Sequence, residues 1–173
     1  MNRQQDRARV FVSWLLERQN DRGVMAELRR SLGRDTEYRA WKHLARWCDL
    51  TRIDQRLAYG AVAGAFAAHP CNAETGNLGD TMRAIALGSA PDGGDPLASF
   101  EGRFRRLLTC DSVAELAERV GSVARAAKQR EITINYCQLL QDLLDFRWPD
   151  AREHAKLRWA YAFWRADGAE GEG

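Results

Sequence analysis

The chain has 173 residues, a formal net charge of +2 at pH 7, 45% hydrophobic residues and 29% charged residues. This length is enough for one domain, or two small ones, with a real buried core, and the composition is typical of a soluble globular protein. No run approaches the roughly 18 consecutive apolar residues of a membrane span, so we expect no membrane association.

The N-terminal segment combines basic residues with an apolar stretch, as a signal peptide does. Ser13, Glu17 and Arg18 interrupt this stretch, and no small-residue cleavage site follows it. We therefore predict an amphipathic helix that stays in the chain, and a cytoplasmic protein. The four cysteines form no CxxC motif and the three histidines lie far apart, which predicts reduced thiols, no metal site and no cofactor.

A 3.6-residue period runs through nearly every segment and strand-like alternation is absent. We therefore predict an all-α protein of about eight or nine helices with no β-sheet. The first helix covers about residues 5–19 and buries Val10, Phe11, Trp14 and Leu15. The second ends at Gly33. A third begins at Asp35 or Thr36, and its predicted inward face contains Tyr38, Trp41, Leu44, Ala45 and Cys48.

A capping box of Thr51 and Asp54 is predicted to open an alanine-rich and glycine-rich helix that ends before Pro70. Small side chains allow neighbouring helices to approach closely, so we expect this helix at the centre of the fold. A short helix follows, and then "GSAPDGGDP", the strongest break in the chain. The predicted organisation is an N-terminal helical half at 1–87, a linker loop at 88–95, a C-terminal helical half at 96–165 and a disordered acidic tail at 166–173.

In the second half, Asp95 and Pro96 provide an N-cap and an N1 proline for the helix containing "SFEGRFRRLL". Ser112 and Glu115 form a capping box for the next helix, which ends near Arg130. "REITINY" is too isolated to form a sheet, and we interpret it as an extended connector. The helix "YCQLLQDLLDF" follows, and a last helix carries Leu157, Tyr161 and Trp164.

Catalytic motifs are absent: the sequence has no GxGxxG, GxxxxGK[ST], GxSxG or HExxH. Asp142 and Asp145 have the spacing to hold a divalent metal, which leaves a metal-dependent enzyme as an alternative. The leucines around them mark the buried face of that helix, so we place both carboxylates on its solvent side and expect no enzyme. Among the tryptophans, Trp148 is the best candidate for a partner contact, although a place in the core is favoured.

Positive charge is concentrated in two segments. Residues 1–34 hold eight Lys or Arg against four Asp or Glu, and residues 99–130 hold seven against four. Winding "SFEGRFRRLL" at about 100° per residue gathers Phe100, Phe104, Leu107 and Leu108 on one arc. Arg103 and Arg106 lie together on a flank of this arc, whereas Arg105 stands apart from them.

The following helix has an apolar stripe consisting of Val113, Leu116, Val120, Val123, Ala124 and Ala127. Arg119 and Arg130 lie on one side of this stripe, and Arg125 and Lys128 lie on the other. If the two helices pack together, basic residues from both line one groove. The pattern alone leaves two interpretations open: a solvated helix face, or a surface that contacts phosphates without reading sequence and loses affinity steeply with salt. No interleaved aromatic residues suggest a base-stacking platform there.

The order of several segments resembles the CasB-type small subunit of type I-E CRISPR Cascade complexes. The matching segments are "FVSWLLERQ", "MAELRRSLG", "AFAAHP", "NLGDTMRAIA", "SFEGRFRRLLTCD" and "ITINYCQLLQDLLDF" with the tryptophan-bearing final helix. The resemblance implies an all-helical, non-catalytic subunit that lies beside a second copy of itself. It also implies contacts with the backbone and large subunits, and basic surfaces that hold the crRNA-guided target DNA and the displaced non-target strand.

By this resemblance, the basic sites that match best are Arg29, Arg30, Arg103 and Arg125. Arg106, Arg119, Lys128 and Arg130 join the predicted nucleic-acid-binding set through proximity and helix face. A helical adaptor that binds only protein, with the arginines on acidic patches of neighbouring subunits, is the alternative function.

Overall fold

The computed structural model describes residues 2–89 and 93–165. This part of the chain contains nine α-helices, two short 3-10 helices and no β-strand, which confirms the all-α prediction. The α-helices are α1 (Arg3–Arg18), α2 (Arg22–Arg29), α3 (Trp41–Leu44), α4 (Ile53–Ala68), α5 (Leu78–Leu87), α6 (Pro96–Leu108), α7 (Val113–Gln129), α8 (Tyr136–Asp145) and α9 (Pro149–Trp164). The 3-10 helices cover Arg30–Leu32 and Glu37–Ala40.

Side-chain caps fix where several helices begin. The Asp95 carboxylate accepts hydrogen bonds from the first-turn amides of α6, and Ser112 accepts one from the Glu115 amide at the start of α7, so both N-caps are as predicted. The capping box predicted for Ser112 and Glu115 is only half formed, because the Glu115 carboxylate accepts from the Asp111 amide instead of the Ser112 amide. The predicted capping box at Thr51 and Asp54 is wrong. The residue before α4 is Arg52, and the Thr51 hydroxyl donates to Asp49 instead of capping the helix.

Helix α4 is central, as its small residues predicted. Every residue from 58 to 67 is buried, and α2, α7 and α8 all pack against it. A Cβ atom on Gly64 would lie 2.6 Å from the side chain of Leu32, so only glycine lets the 3-10 turn that carries Leu32 approach α4 this closely. This approach places the turn that follows α2 directly against the central helix.

Helices from both predicted halves share one hydrophobic cluster. Across the linker, α4 packs against α7, and α5 packs against both α6 and α9. Part of the linker (residues 90–92) and the predicted disordered tail (residues 166–173) lie outside the described residues. The division at 88–95 therefore stays a prediction, while the packing joins the elements on both sides of it.

Several inward-facing predictions in the first half are wrong. Val10 is 58% exposed, Tyr38 is 54% exposed, and Trp41 and Ala45 also lie on the surface. The physical reason in the third segment is local geometry: a 3-10 helix precedes only one α-helical turn there, and its three residues per turn shift the phase of the buried face. Leu44 and Cys48 are buried as predicted.

The connector after α7 is extended, as predicted. Ile134 forms an isolated parallel bridge with Asn72, and no strand surrounds it in the described part of the chain. This bridge ties the start of α8 to the loop between α4 and α5. Among the described residues, no helix is both long and apolar enough to cross a membrane.

Candidate nucleic-acid interface

Helix α6 divides into a packed side and a basic side, close to the division that its periodicity predicted. Phe100, Phe104 and Leu107 are buried, and Leu108 is half-buried. Phe104 stacks on Phe163 of α9 with ring centroids 4.1 Å apart, which fixes the rotation of α6 about its axis. The arginines between these apolar positions must therefore point towards solvent.

Arg103 and Arg106 of α6 face Arg119 of α7 across a groove of about 240 Å³. Apolar side chains of α5, α6 and α7 form its floor, namely Met82, Phe100, Leu107, Val123 and Ala126. We call this feature the α6–α7 groove. It brings together, from two helices, three of the residues that the sequence placed in the basic set.

Local contacts position two of these three arginines without neutralising them. The Arg103 guanidinium lies over the Phe100 ring, 5.3 Å from its centroid. Arg119 lies beside Cys110, just beyond the end of α6, where burial raises the pKa of the thiol and the charge of Arg119 acts in the opposite direction. Within the described residues, none of Arg103, Arg106 and Arg119 forms an ion pair with a carboxylate.

The carboxylates of the same segment are all occupied elsewhere. Glu101 accepts two hydrogen bonds from Arg105, Asp111 pairs with Lys156 and Glu118 pairs with Arg34. Glu115 accepts from the backbone amide of Asp111 at 2.7 Å. Among the described residues, none of these carboxylates pairs with an arginine of the groove, and a group of unpaired cations attracts anionic ligands.

Two further predicted residues border the groove. Arg125 donates to the hydroxyl of Ser122, which lines the groove, at 3.2 Å, and Arg130 donates to the carbonyl of Ala126 at 3.4 Å. Lys128 is exposed on α7 but does not line the groove. Sequence reasoning missed Ser122, whose place three residues before Arg125 was the available signal.

Arg29 and Arg30 lie at a different place, where α2 passes into the first 3-10 helix. Both are exposed, and the Arg29 side chain donates back to the Met25 carbonyl. Leu32 of the same turn packs against α7 at Gly121, and a terminal nitrogen of Arg125 lies 3.7 Å from the Cβ position there. Arg125 thus lies between the α6–α7 groove and the turn that carries the N-terminal arginines.

The predicted solvent-facing position of Asp142 is wrong. Asp142 is 1% exposed, and it accepts hydrogen bonds from Gln138, Arg158 and the indole N–H of Trp159. Burial raises the pKa of its carboxyl, and these donors act against that rise. We call this cluster, with Gly79 packed on the Trp159 backbone, the Trp159 junction. The described residues contain no group of three or more His, Cys, Asp or Glu that could hold a metal.

The fold and the groove together define a class: an all-helical protein with an arginine-lined groove formed between two helices of its second half. A family model for the CRISPR-associated protein Cse2 matches residues 24–164, and the chain belongs to that family. The resemblance to the CasB-type small subunit of type I-E Cascade is thereby confirmed, and the chain is a structural small subunit of such a complex.

Two solved structures are similar to the chain over nearly its whole length. The crystal structure of CasB from Thermus thermophilus has 26% sequence identity and a TM-score of 0.68, covering 92% of this chain and 98% of that one. The crystal structure of CasB from Thermobifida fusca has 19% identity and a TM-score of 0.64, covering 92% and 94%, and this second likeness supports the fold alone. No curated protein matches the chain in sequence.

Proposed function

We propose that the chain stabilises the R-loop of a crRNA-guided Cascade complex through phosphate contacts made in the α6–α7 groove. The observation that supports this most strongly is the charge imbalance in the groove. Arg103, Arg106 and Arg119 converge from two helices and pair with no carboxylate of the described residues, although four carboxylates lie in the same segment. Guanidinium groups bind phosphate oxygens well because their donors form a rigid fork.

The groove suits a nucleic-acid backbone better than a base edge. Its polar groups are cationic side chains and one hydroxyl, and its floor is apolar. Such contacts fix the position of a strand and carry no sequence information. Sequence reading is then left to pairing between guide and target, the division of labour expected of RNA-guided recognition.

Arg125 and Arg130 extend the proposed surface at the groove's edge, and Lys128 adds charge further along α7. Arg29 and Arg30 would lengthen it towards α2, since Arg125 lies between the two basic regions. In the assembled complex we expect the strands of target DNA, including the displaced non-target strand, on this surface. A second copy of the chain and the backbone and large subunits are the proposed protein partners.

Salt-dependent binding of the isolated protein tests the groove. Changing Arg103 and Arg106 together to alanine should flatten the log–log salt dependence by about 1.4–1.8, which is roughly 0.7–0.9 for each lost phosphate contact. At 0.15 M salt this corresponds to a roughly 10- to 30-fold weaker affinity for single-stranded or duplex DNA. Electrophoretic mobility shifts over a salt series provide the measurement.

Arg105→Ala is the matched control for this experiment. It removes one arginine from the same exposed helix, but that arginine is already paired with Glu101 and lies outside the groove. We expect it to leave the salt slope nearly unchanged. Equal slopes for wild type, the control and the double variant would contradict the proposed groove. In the reconstituted complex, the double variant should also shorten the lifetime of the R-loop.

A purely protein-binding adaptor is the second candidate, and one surface favours it. Leu157, Tyr161 and Trp164 are 66%, 72% and 42% exposed, and their spacing places them on one face of α9. An exposed apolar row of this kind is typical of a protein interface. A nuclease footprint of the displaced strand separates the two functions: a footprint unchanged when the subunit is omitted would favour the adaptor.

A further inference from the structure

A second basic region lies far from the α6–α7 groove, where the start of α1 meets α4 and the turn between α8 and α9. It contains a pocket of about 250 Å³, lined among others by Arg3, Arg7, Arg147 and Trp148. This volume is below the roughly 300–1,000 Å³ of most small-molecule sites, so it suits one ring of a longer ligand better than an enclosed small molecule. We call it the Trp148 pocket.

Trp148 presents a large aromatic ring to solvent at the edge of this pocket. Its side chain is 56% exposed, so the predicted place in the core is wrong. The Arg147 guanidinium lies over the ring at 4.4 Å from the centroid, and a 2.9 Å ion pair with Asp54 holds it there. A guanidinium on one face and solvent around the rest leave the indole free to stack with another planar group.

Arg3 and Arg7 provide positive charge next to this ring. They are four residues apart on α1 and therefore lie on the same face of the helix. Arg7 donates to the Trp47 carbonyl, which orients its side chain without removing its charge. Arg3 has no hydrogen-bond or ion-pair partner among the described residues.

The charge balance of the pocket favours an anionic ligand. Asp54 is the only carboxylate among the described residues that line it, and this group already pairs with Arg147 and Arg52. Burial raises the pKa of the Asp54 carboxyl, but the hydrogen bond from Arg147 and the charges of Arg52 and Arg147 lower it further than burial raises it. The carboxylate therefore stays ionised and paired at neutral pH. The charges of Arg3 and Arg7 are left for a ligand.

We propose that the Trp148 pocket binds one nucleotide of a single-stranded nucleic acid, with the base stacked on Trp148 and the neighbouring phosphates on Arg3 and Arg7. Cations combined with an exposed aromatic ring are the chemistry with which proteins hold single strands irrespective of sequence. A duplex does not fit this chemistry because its bases are already stacked on each other. The site shares no lining residue with the α6–α7 groove, whose one aromatic residue among the described lining residues, Phe100, is buried.

Binding of the full chain to two fluorescent oligomers tests this proposal. One is an oligothymidine and the other is an abasic oligomer of equal length, which keeps the phosphates and lacks the bases. Trp148→Ala should weaken the oligothymidine complex at least fivefold and leave the abasic complex unchanged, because only the first can stack. Trp148→Phe should restore most of the loss, and thermal melts of each variant confirm that it is folded.

Three results would overturn the proposal. In the first, Trp148→Ala leaves oligothymidine binding unchanged, and in the second it weakens the binding of both oligomers equally. In the third, it weakens only the binding of a glutamate-rich peptide, and this result would identify an acidic protein segment as the occupant of the pocket. The Arg103→Ala and Arg106→Ala double variant serves as the reference for the groove. This double variant should weaken the binding of both oligomers. Loss of the α6–α7 groove and loss of the Trp148 pocket therefore give different binding patterns.

Discussion

The α6–α7 groove and the Trp159 junction both concentrate charge, and they treat it in opposite ways. In the junction, Asp142 is buried and each of its oxygens accepts at least one hydrogen bond. In the groove, three arginines share an exposed channel and have no carboxylate partner among the described residues. A buried charge needs hydrogen-bonding or ionic partners within the fold, whereas a charge in contact with water needs none and stays available to bind a ligand. Substitutions in the junction should therefore change stability, and those in the groove should change binding.

The largest effect is expected at Gly79, where α5 meets α9. A Cβ atom on Gly79 would lie 2.1 Å from the Trp159 carbonyl oxygen, a backbone atom that cannot swing away. Gly79→Ala should therefore force the two helices apart and lower the free energy of unfolding by about 3 kcal/mol or more. Urea unfolding followed by tryptophan fluorescence measures this loss.

Gly102 in α6 is the matched control. A Cβ atom there meets nothing within 4 Å, and the residue is exposed in the middle of a helix. Gly102→Ala should raise the free energy of unfolding by roughly 0.5–1 kcal/mol, since alanine has less backbone freedom to lose. If both substitutions had the same effect, the close contact of α5 and α9 would not be what requires glycine at position 79.

The next effect is expected at Asp142. Asp142→Ala removes the acceptor of the buried Trp159 indole N–H, and leaving such a donor unsatisfied costs about 1–3 kcal/mol. Arg158 is half-exposed and can turn to water, so its charge adds little to the loss. Asp145→Ala is the control, because Asp145 is less buried and its carboxylate accepts one hydrogen bond from the described residues, donated by Gln4. Equal losses of unfolding free energy in both variants would show that the hydrogen bonds of the Trp159 junction stabilise the fold no more than the bond between Asp145 and Gln4.

A satisfied charge on the surface gives a smaller, pH-dependent effect. Hydrogen bonds from Lys42 and His43 lower the pKa of Glu27 below its usual value of 4.5. A carboxyl with a lowered pKa in the folded state stabilises the fold above its unfolded pKa and loses that contribution as pH falls through the folded pKa. The wild type should therefore lose more stability than Glu27→Gln between pH 6 and pH 3. The assignment would be contradicted if the free energies of unfolding of the wild type and of Glu27→Gln changed equally with pH over this range.

The sequence predicted which way the side chains of α6 and α7 point because both are regular helices, while the role of the groove stays a prediction. A constant 100° per residue placed Arg103 and Arg106 on one flank and Arg105 apart from them, and the structure agrees: only Arg105 lies outside the groove and pairs with Glu101. All six residues of the predicted apolar stripe in α7 are buried. Periodicity suffices where one helix determines which way its own side chains point.

Periodicity was insufficient where a second element decides the environment. Asp142 is buried because Arg158 and Trp159, on the next helix, supply its donors, and no spacing within α8 shows this. The Trp148 pocket gathers Arg3 and Arg7 with Trp148 from opposite ends of the chain. No spacing within one segment shows this grouping, which the fold alone creates.

The smallest effect on stability is expected in the groove, and it gives the most direct test of the comparison. Arg103→Ala with Arg106→Ala removes no ion pair formed within the described part of the chain, so the free energy of unfolding should change by less than about 0.5 kcal/mol. A single-stranded oligonucleotide at 100 times its Kd should stabilise the wild type by about 2.7 kcal/mol, and at the same concentration it should stabilise the double variant clearly less. Thermal melts with and without the oligonucleotide measure both quantities. A large loss of stability without ligand would show that these arginines hold the fold together, as Asp142 does, and that the contrast between the two regions is false.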